Sequence, residues 1–418
     1  MSQPSGELLD HLFRQQAGRM VARLTHVLGP SHVTLAEETV QEALLRALQT
    51  WPQDGVPGNP AGWLFRVAHN LAIDSVRRTQ SFGQKTDAIV AAITQSAQTR
   101  ETPELDDQIR DDELRMIFMC GHPALSRDGS VALSLKTVGG FSVKEIARAF
   151  LADESAIAQR IVRTKKLIRE RKLTLDLPNG PELTERLDAV LDVIYFMFNE
   201  GYAAHEGVDL IRQDLCMEAL RLGRLVAGAR AFDLPRVHAL VALMALQAAR
   251  LPARVDDAGD LILLDDQDRT RWDERLIFLG FQHFDRSMAG AEVTEYHVQA
   301  AIAATHARAA DASSVDWRTI LELYDQLLEM TASPIVALNR AVAVAKVHGP
   351  AAGLDALETI SRDPKLQHYH LMLAARGQLL AELGRPEDAA KAFAAALERG
   401  CTDPERRFLL RRLAQCTH

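Results

Sequence analysis

FSVKEIARAFLADESAIAQRIVRTKKLIRE, Phe141 to Glu170, decides how the chain is read. Ser142 can cap a helix, and Glu145 stands where a capping box needs its carboxylate. Ile146, Ala147 and Phe150 give that helix one apolar face. Ala152-Asp153-Glu154-Ser155 breaks the pattern and opens a second helix, with Ile157, Ile161, Thr164 and Ile168 along one side. Arg160, Arg163, Lys165, Lys166, Arg169, Arg171 and Lys172 fill much of the remainder, so Ser155 to Lys172 carries a net charge of +6. Two short helices with a tight turn, the second one basic, follow the helix-turn-helix plan. The second helix would enter a major groove, its N-terminal half facing bases and its basic C-terminal half holding phosphates. A plain helical hairpin with a solvated basic face has the same pattern, so the rest of the chain must weigh in.

That rest is acidic. Formal net charge is -8 and the pI about 6.0, which excludes polyanion binding by the surface as a whole and leaves only a local patch. The 418 residues, 47% hydrophobic and 25% charged, have the composition of a soluble globular chain of more than one domain. Alternating β-branched runs are nearly absent, so the expected fold class is all-α. Cys120, Cys216, Cys401 and Cys416 are scattered, which signals neither a disulfide framework nor a zinc site. Cys120-Gly121-His122 offers two potential ligands, too few for a metal. The N-terminus has no signal-peptide run and no stretch has the length of a membrane span, so the cytoplasm is the expected compartment.

Organisation follows from the breaks. Residues 7–79 form a first helical block, interrupted by the loop Trp51 to Gly62, with Asn59-Pro60 placed to start the next helix. Residues 80–112 are polar and end acidic, the composition of a flexible linker. A second block covers Glu113 to Lys172, and LPNGPELTER (Leu177 to Arg186) forms a second boundary with Thr184 as a capping residue. Near the end, Gly349 and Gly384 lie 35 residues apart, each inside a helix–Gly–helix–Pro unit, with Ala374, Ala389, Phe393 and Ala396 at close-packing positions. This pattern resembles the tetratricopeptide repeat, whose period is about 34 residues.

AEETVQEALLRALQTWP (Ala36 to Pro52) and PAGWLFRVAHNLAIDSVRR (Pro60 to Arg78) together resemble region 2 of bacterial sigma factors. The helix-turn-helix, with RMIFMCGHPALSRDGSVALSLKTVGG before it, resembles their region 4. The order and the short linker are those of the extracytoplasmic-function (ECF) class. FMFNEGYAAHEG, DLCMEALRLGRL, LILLDDQDRTRWD, YHVQAAIAATHA and SPIVALNRAVAVA resemble the subgroup with a C-terminal helical extension and tetratricopeptide-like repeats. The expected division is sigma region 2 over 1–80, a linker over 81–112, region 4 over 113–176, a helical extension over 181–285 and repeats over 286–418.

The resemblance implies an alternative sigma factor with no catalysis and no cofactor. Its partners would be promoter DNA and core RNA polymerase, through the β′ clamp helices and the β flap. Gln41, Glu42, Leu45 and Arg46 would carry the clamp contact. The −10 element would be melted by the helix bearing Trp63, Arg66, Asn70, Asp74, Arg77 and Arg78: Asn70 next to a flipped base, the arginines on phosphates. Trp63 and Phe65 are equally suited to a core, and His69 has no assignment. Ser155, Gln159, Arg160 and Arg163 would approach the −35 element, with Lys165, Lys166 and Arg169 on phosphates. Arg160 and Arg163 stand out, because arginine to guanine is the commonest specific contact. Ala156 and Ala158 replace the hydroxyl and lysine frequent in the class, which leaves base preference open.

The acidic and histidine residues Glu200, His205, Glu206, Asp265, Asp266 and Asp268 have ligand chemistry, but their spacing fits no catalytic motif and reads as caps and salt bridges. The resemblance implies that the extension governs sigma activity, in part by contact with the sigma regions. Removal of everything beyond about residue 176 is then expected to change promoter output. The alternative is a stand-alone helix-turn-helix regulator with a helical sensor domain, which would bind duplex DNA tightly without polymerase.

Overall fold

The computed structural model describes residues 6–79, 103–150, 152–175, 181–202, 213–367 and 369–417. All regular elements among them are helical, apart from an isolated antiparallel bridge between Val255 and Leu261. The all-α expectation therefore holds. The chain forms two compact units, 1–193 and 194–418.

The first unit begins with α1 (Gly6–Leu28), α2 (Val33–Asp54) and α3 (Pro60–Thr79). Their apolar stripes meet in one core, from Met20, Leu24 and Leu28 on α1 through Val40, Ala43, Ala47 and Trp51 on α2 to Leu64, Ala68 and Ala72 on α3. Asn59 accepts from the Gly62 amide at 2.8 Å through its side chain, so the expected start of α3 is built as a cap ahead of Pro60.

Next come α4 (Pro103–Cys120), α5 (Arg127–Thr137), α6 (Val143–Ala149) and α7 (Glu154–Glu170). Here the structure departs from the expected linker. Residues 80–102 lie outside the described residues, but 103–112 belong to α4. Asp112, at that linker's end, is 2% exposed and accepts from Arg23 of α1 at 2.8 Å as well as bonding His26. Asp112 is thus ion-paired to α1 rather than part of a solvated chain. Ser126 caps α5 by accepting from the Gly129 amide.

Helix α8 (Pro181–Tyr202) starts at a proline in its first position, ahead of the expected cap Thr184. The border between the units, at residue 193, falls inside this helix rather than at 176–181. The reason is packing: Leu187, Val190 and Leu191 are buried, and Asp192 pairs with Arg127 of α5.

In the second unit, α10 (Pro235–Ala248) packs against α9 (Gln213–Gly228), α11 (Glu274–Ser287) and α12 (Glu295–Arg308). Residues 249–273 form an irregular segment with short 3-10 turns and a buried Trp272. The rest stacks as helical hairpins: α13 (Trp317–Thr331), α14 (Pro334–His348), α15 (Pro350–Ile360), α16 (His370–Glu382), α17 (Pro386–Leu397) and α18 (Asp403–Thr417). Small residues permit close approach: a Cβ on Gly377 would lie 2.8 Å from the Phe393 ring. Of the four residues expected at close-packing positions, Ala389, Phe393 and Ala396 are buried and Ala374 is half-buried.

Candidate polymerase and nucleic-acid interface

On α2 the inward residues Val40, Ala43 and Ala47 are buried, which turns Gln41, Glu42, Leu45 and Arg46 outward. All four are exposed, with Arg46 Nε donating to Glu42 Oε1 at 3.0 Å. Leu45 is 53% exposed, and Leu48, one turn on, adds a second uncovered leucine that sequence reasoning missed. Its signal was the spacing of Leu45 and Leu48 on the face opposite Ala43 and Ala47.

On α3, Trp63 is half-buried and meets Trp51 edge-on at 5.5 Å, so it belongs partly to the core. His69 is buried with its ring 5.8 Å from Phe65, which gives it a packing role. Arg66, Asn70 and Asp74 are exposed along one strip of the helix at i, i+4 and i+8 spacing. Arg77 and Arg78 lie in the last turn of α3, and their side chains are outside the described ones.

Helix α7 buries Ile157, Ile161, Thr164 and Ile168, the stripe expected from sequence. Helix α6 starts directly after Ser142, and the Glu145 side chain is outside the described ones. Ser155, Gln159, Arg163, Lys166 and Arg169 are exposed. Arg163 Nη2 donates to Gln159 Oε1 at 3.4 Å, and Lys166 lies 3.7 Å from Glu170. Arg160 is half-buried over the Phe150 ring, its Cζ 5.5 Å from the centroid, with Asp128 at 3.4 Å.

Lys165 differs from the other cations of α7. Its ammonium donates to Glu37 of α2, and the side chain is 18% exposed. Helix α7 also packs against the 3-10 turn Pro30–His32 that joins α1 to α2. Gly18 of α1 meets the chain after α5: a Cβ there would fall 1.8 Å from the Val138 carbonyl oxygen. Two segments far apart in sequence are thus held backbone to backbone. No local pattern announces either contact.

The remaining candidates carry no site. Cys120 is fully buried, its thiol pushed up to about 12 by desolvation, and His122 Nδ1 accepts from the Ala124 amide at 3.0 Å. Asp265 bonds Lys346 at 2.6 Å, and Asp268 caps the turn Arg269–Arg271. Glu200 is buried, while His205 and Glu206 lie outside the described residues. Among the described residues, no group of three or more histidine, cysteine or acidic side chains could hold a metal, and no helix is long and apolar enough to cross a membrane.

Comparison with known proteins adds a class to this geometry. The family described as sigma-70 region 2 matches residues 12–82, the α1–α3 block. A family of unknown function, DUF6596, matches residues 186–288. The ECF RNA polymerase sigma factor SigK of Mycobacterium bovis is 30% identical over 37% of this chain and 78% of its own length. SigE of Mycolicibacterium smegmatis, another ECF sigma factor, is 26% identical over 38% of this chain and 60% of its own. The first unit is therefore a sigma-factor unit, and the chain belongs to the ECF-type RNA polymerase sigma factors, with a C-terminal extension. An uncharacterised protein of Rhizobium meliloti is 41% identical over 88% of this chain and 86% of its own length, so it shares the extension as well. No solved structure matches.

Proposed function

We propose that the chain acts in the cytoplasm as an alternative sigma factor that docks on core RNA polymerase through Gln41, Glu42, Leu45 and Arg46 of α2, on the β′ clamp helices, with a further contact from region 4 to the β flap. Trp63, Arg66, Asn70, Asp74, Arg77 and Arg78 of α3 take the melted −10 strand. Ser155, Gln159, Arg160 and Arg163 of α7 approach the −35 element, with Lys165, Lys166 and Arg169 on phosphates. The observation that carries this reading is the exposed stripe on α2: an uncovered leucine ringed by polar residues, on the block that matches sigma region 2.

The hairpins α13–α18 serve as tetratricopeptide-like repeats, and the extension sets sigma activity. Because Lys165 is held by Glu37, full use of the basic face requires α7 to part from α2. Free DNA binding is accordingly weak and strongly salt-dependent, and specificity arises on the polymerase.

The test is capture of core polymerase by the purified chain, followed by run-off transcription from a pool of upstream DNA. Promoter-specific transcripts that depend on the chain support the reading. Tight duplex binding without any core binding would sink it in favour of a stand-alone regulator. A chain cut after residue 193, which keeps the Arg127–Asp192 pair, is expected to give altered output from the same promoter; equal output removes the regulatory role of the extension.

A further inference from the structure

Most arginines of the second unit that carry recorded contacts are matched to carboxylates, as in Arg236–Glu292, Arg286–Asp233, Arg340–Asp325 and the pair Arg407 and Arg411 on Asp260. Three are not. Arg250, Arg254 and Arg269 stand just after α10, in the irregular segment, and among the described residues none has an ion pair to a carboxylate. Their partners are neutral. Arg250 donates to Gln247 at 3.2 Å and to Gln267 at 3.4 Å, Arg254 to the Tyr202 carbonyl, and Arg269 to the carbonyls of His306 at 2.6 Å and Ala309 at 2.9 Å.

The guanidinium planes are fixed by stacking. Arg250 and Arg269 lie over Trp272, 5.6 and 4.6 Å from its centroid, and Arg254 lies 3.9 Å over the Tyr202 ring. Stacking on an aromatic face orients the fork and leaves its edge free to bond. Around these groups sit buried polar atoms with no hydrogen-bond partner: Arg269 Nη2, Trp272 Nε1 and His306 Nδ1. A buried donor left unmade is costly, by about 1–3 kcal/mol. Burial holds the guanidinium pKa values of Arg250 and Arg269 below the ordinary arginine value, and each is lowered further by a neighbouring arginine. The carboxylates felt by Arg269, Asp265 and Asp311, are committed elsewhere, to Lys346 and to the cap of Ala312–Ser314. All three arginines are only half-buried, so solutes reach them.

Like charges gathered at the edge of a core, oriented and partnered only by dipoles, call for a counter-ion. We infer that Arg250, Arg254 and Arg269 form a binding site for a small-molecule oxyanion with more than one negative charge, carried on phosphate or clustered carboxylate groups. The forks suit bidentate contacts to such oxygens. The site belongs to the second unit alone, and the inference does not rest on the proposed promoter contacts.

The experiment is calorimetric titration of the full chain with pyrophosphate and, separately, with citrate, at constant ionic strength set by chloride. Saturable binding of at least one anion, tighter than about 1 mM, is expected. Binding of pyrophosphate alone assigns the site to phosphates, and of citrate alone to carboxylates. Arg254→Gln, which leaves Arg250 and Arg269 in place, is expected to weaken binding tenfold or more. Arg407→Gln, which breaks a matched ion pair, is expected to leave it unchanged. Failure of the unmodified chain to bind either anion saturably overturns the inference, as does equal affinity in folded Arg254→Gln.

Discussion

Helices α7 and α10 have similar lengths, 17 and 14 residues, yet their sequences set them opposite tasks. Helix α10 is apolar on every side, and Val237 to Leu246 are buried without interruption, including His238, which bonds Asp233 and His283. A helix without a polar face must be enclosed. Helix α7 buries only four residues, at three- and four-residue spacing, and keeps a charged face. The first is a pillar around which neighbours assemble. The second is anchored on one side so that its other side can address something else.

Substitutions on both helices test that contrast, and the largest effect is expected inside α10. Leu240→Asp places a carboxylate at a fully buried position and is expected to lower stability by about 4 kcal/mol or more, seen as a collapse of the denaturant midpoint. The same change at Val162, 65% exposed on α7, is expected to stay within about 0.5 kcal/mol. Equal losses from the two would mean that α7 has no free face.

Arg163→Ala sharpens the functional half. Run-off output at the cognate promoter is expected to fall about tenfold or more, the size of a lost arginine–base contact, with the thermal midpoint unmoved. Leu45→Asp extends the contrast to α2: affinity for core polymerase is expected to drop about tenfold, measured by competition with a labelled sigma factor, again without loss of fold.

Acid titration probes the enclosed side. His283 and His306 have pKa values lowered from 6.5 to about 4, first by burial and then by electrostatic interaction with a neighbour, His238 for one and Arg250 for the other. The unfolded chain therefore takes up these protons first. Stability is expected to be level above pH 6.5 and to decline as pH falls toward 4, a slope that His306→Asn should flatten in urea melts. The smallest effect belongs to Glu37→Gln, which frees Lys165. Nonspecific DNA binding by the chain alone is expected to steepen in salt by about one phosphate contact, a change of roughly 0.9 in slope. An unchanged slope would mean that Lys165 does not reach DNA.

The contrast between the helices was plain in the sequence because it is local. Period and charge along a few turns foretold the buried stripe of α7 and its charged face. The reading failed where the cause is distant. Asp112 looked like solvated linker because its partners Arg23 and His26 are more than eighty residues away. Lys165 looked free because Glu37 is 128 positions earlier. The unmatched arginines are invisible in a line of residues, since any arginine can find a carboxylate until the fold shows that it has not.

Gly18 has one further consequence, for heredity rather than for mechanics. Its α-carbon lies so close to the Val138 carbonyl that even alanine would force the segments apart. Glycine and alanine codons differ by a single nucleotide. The genome encoding this chain therefore lies one point mutation from a variant in which α1 and the segment after α5 no longer fit.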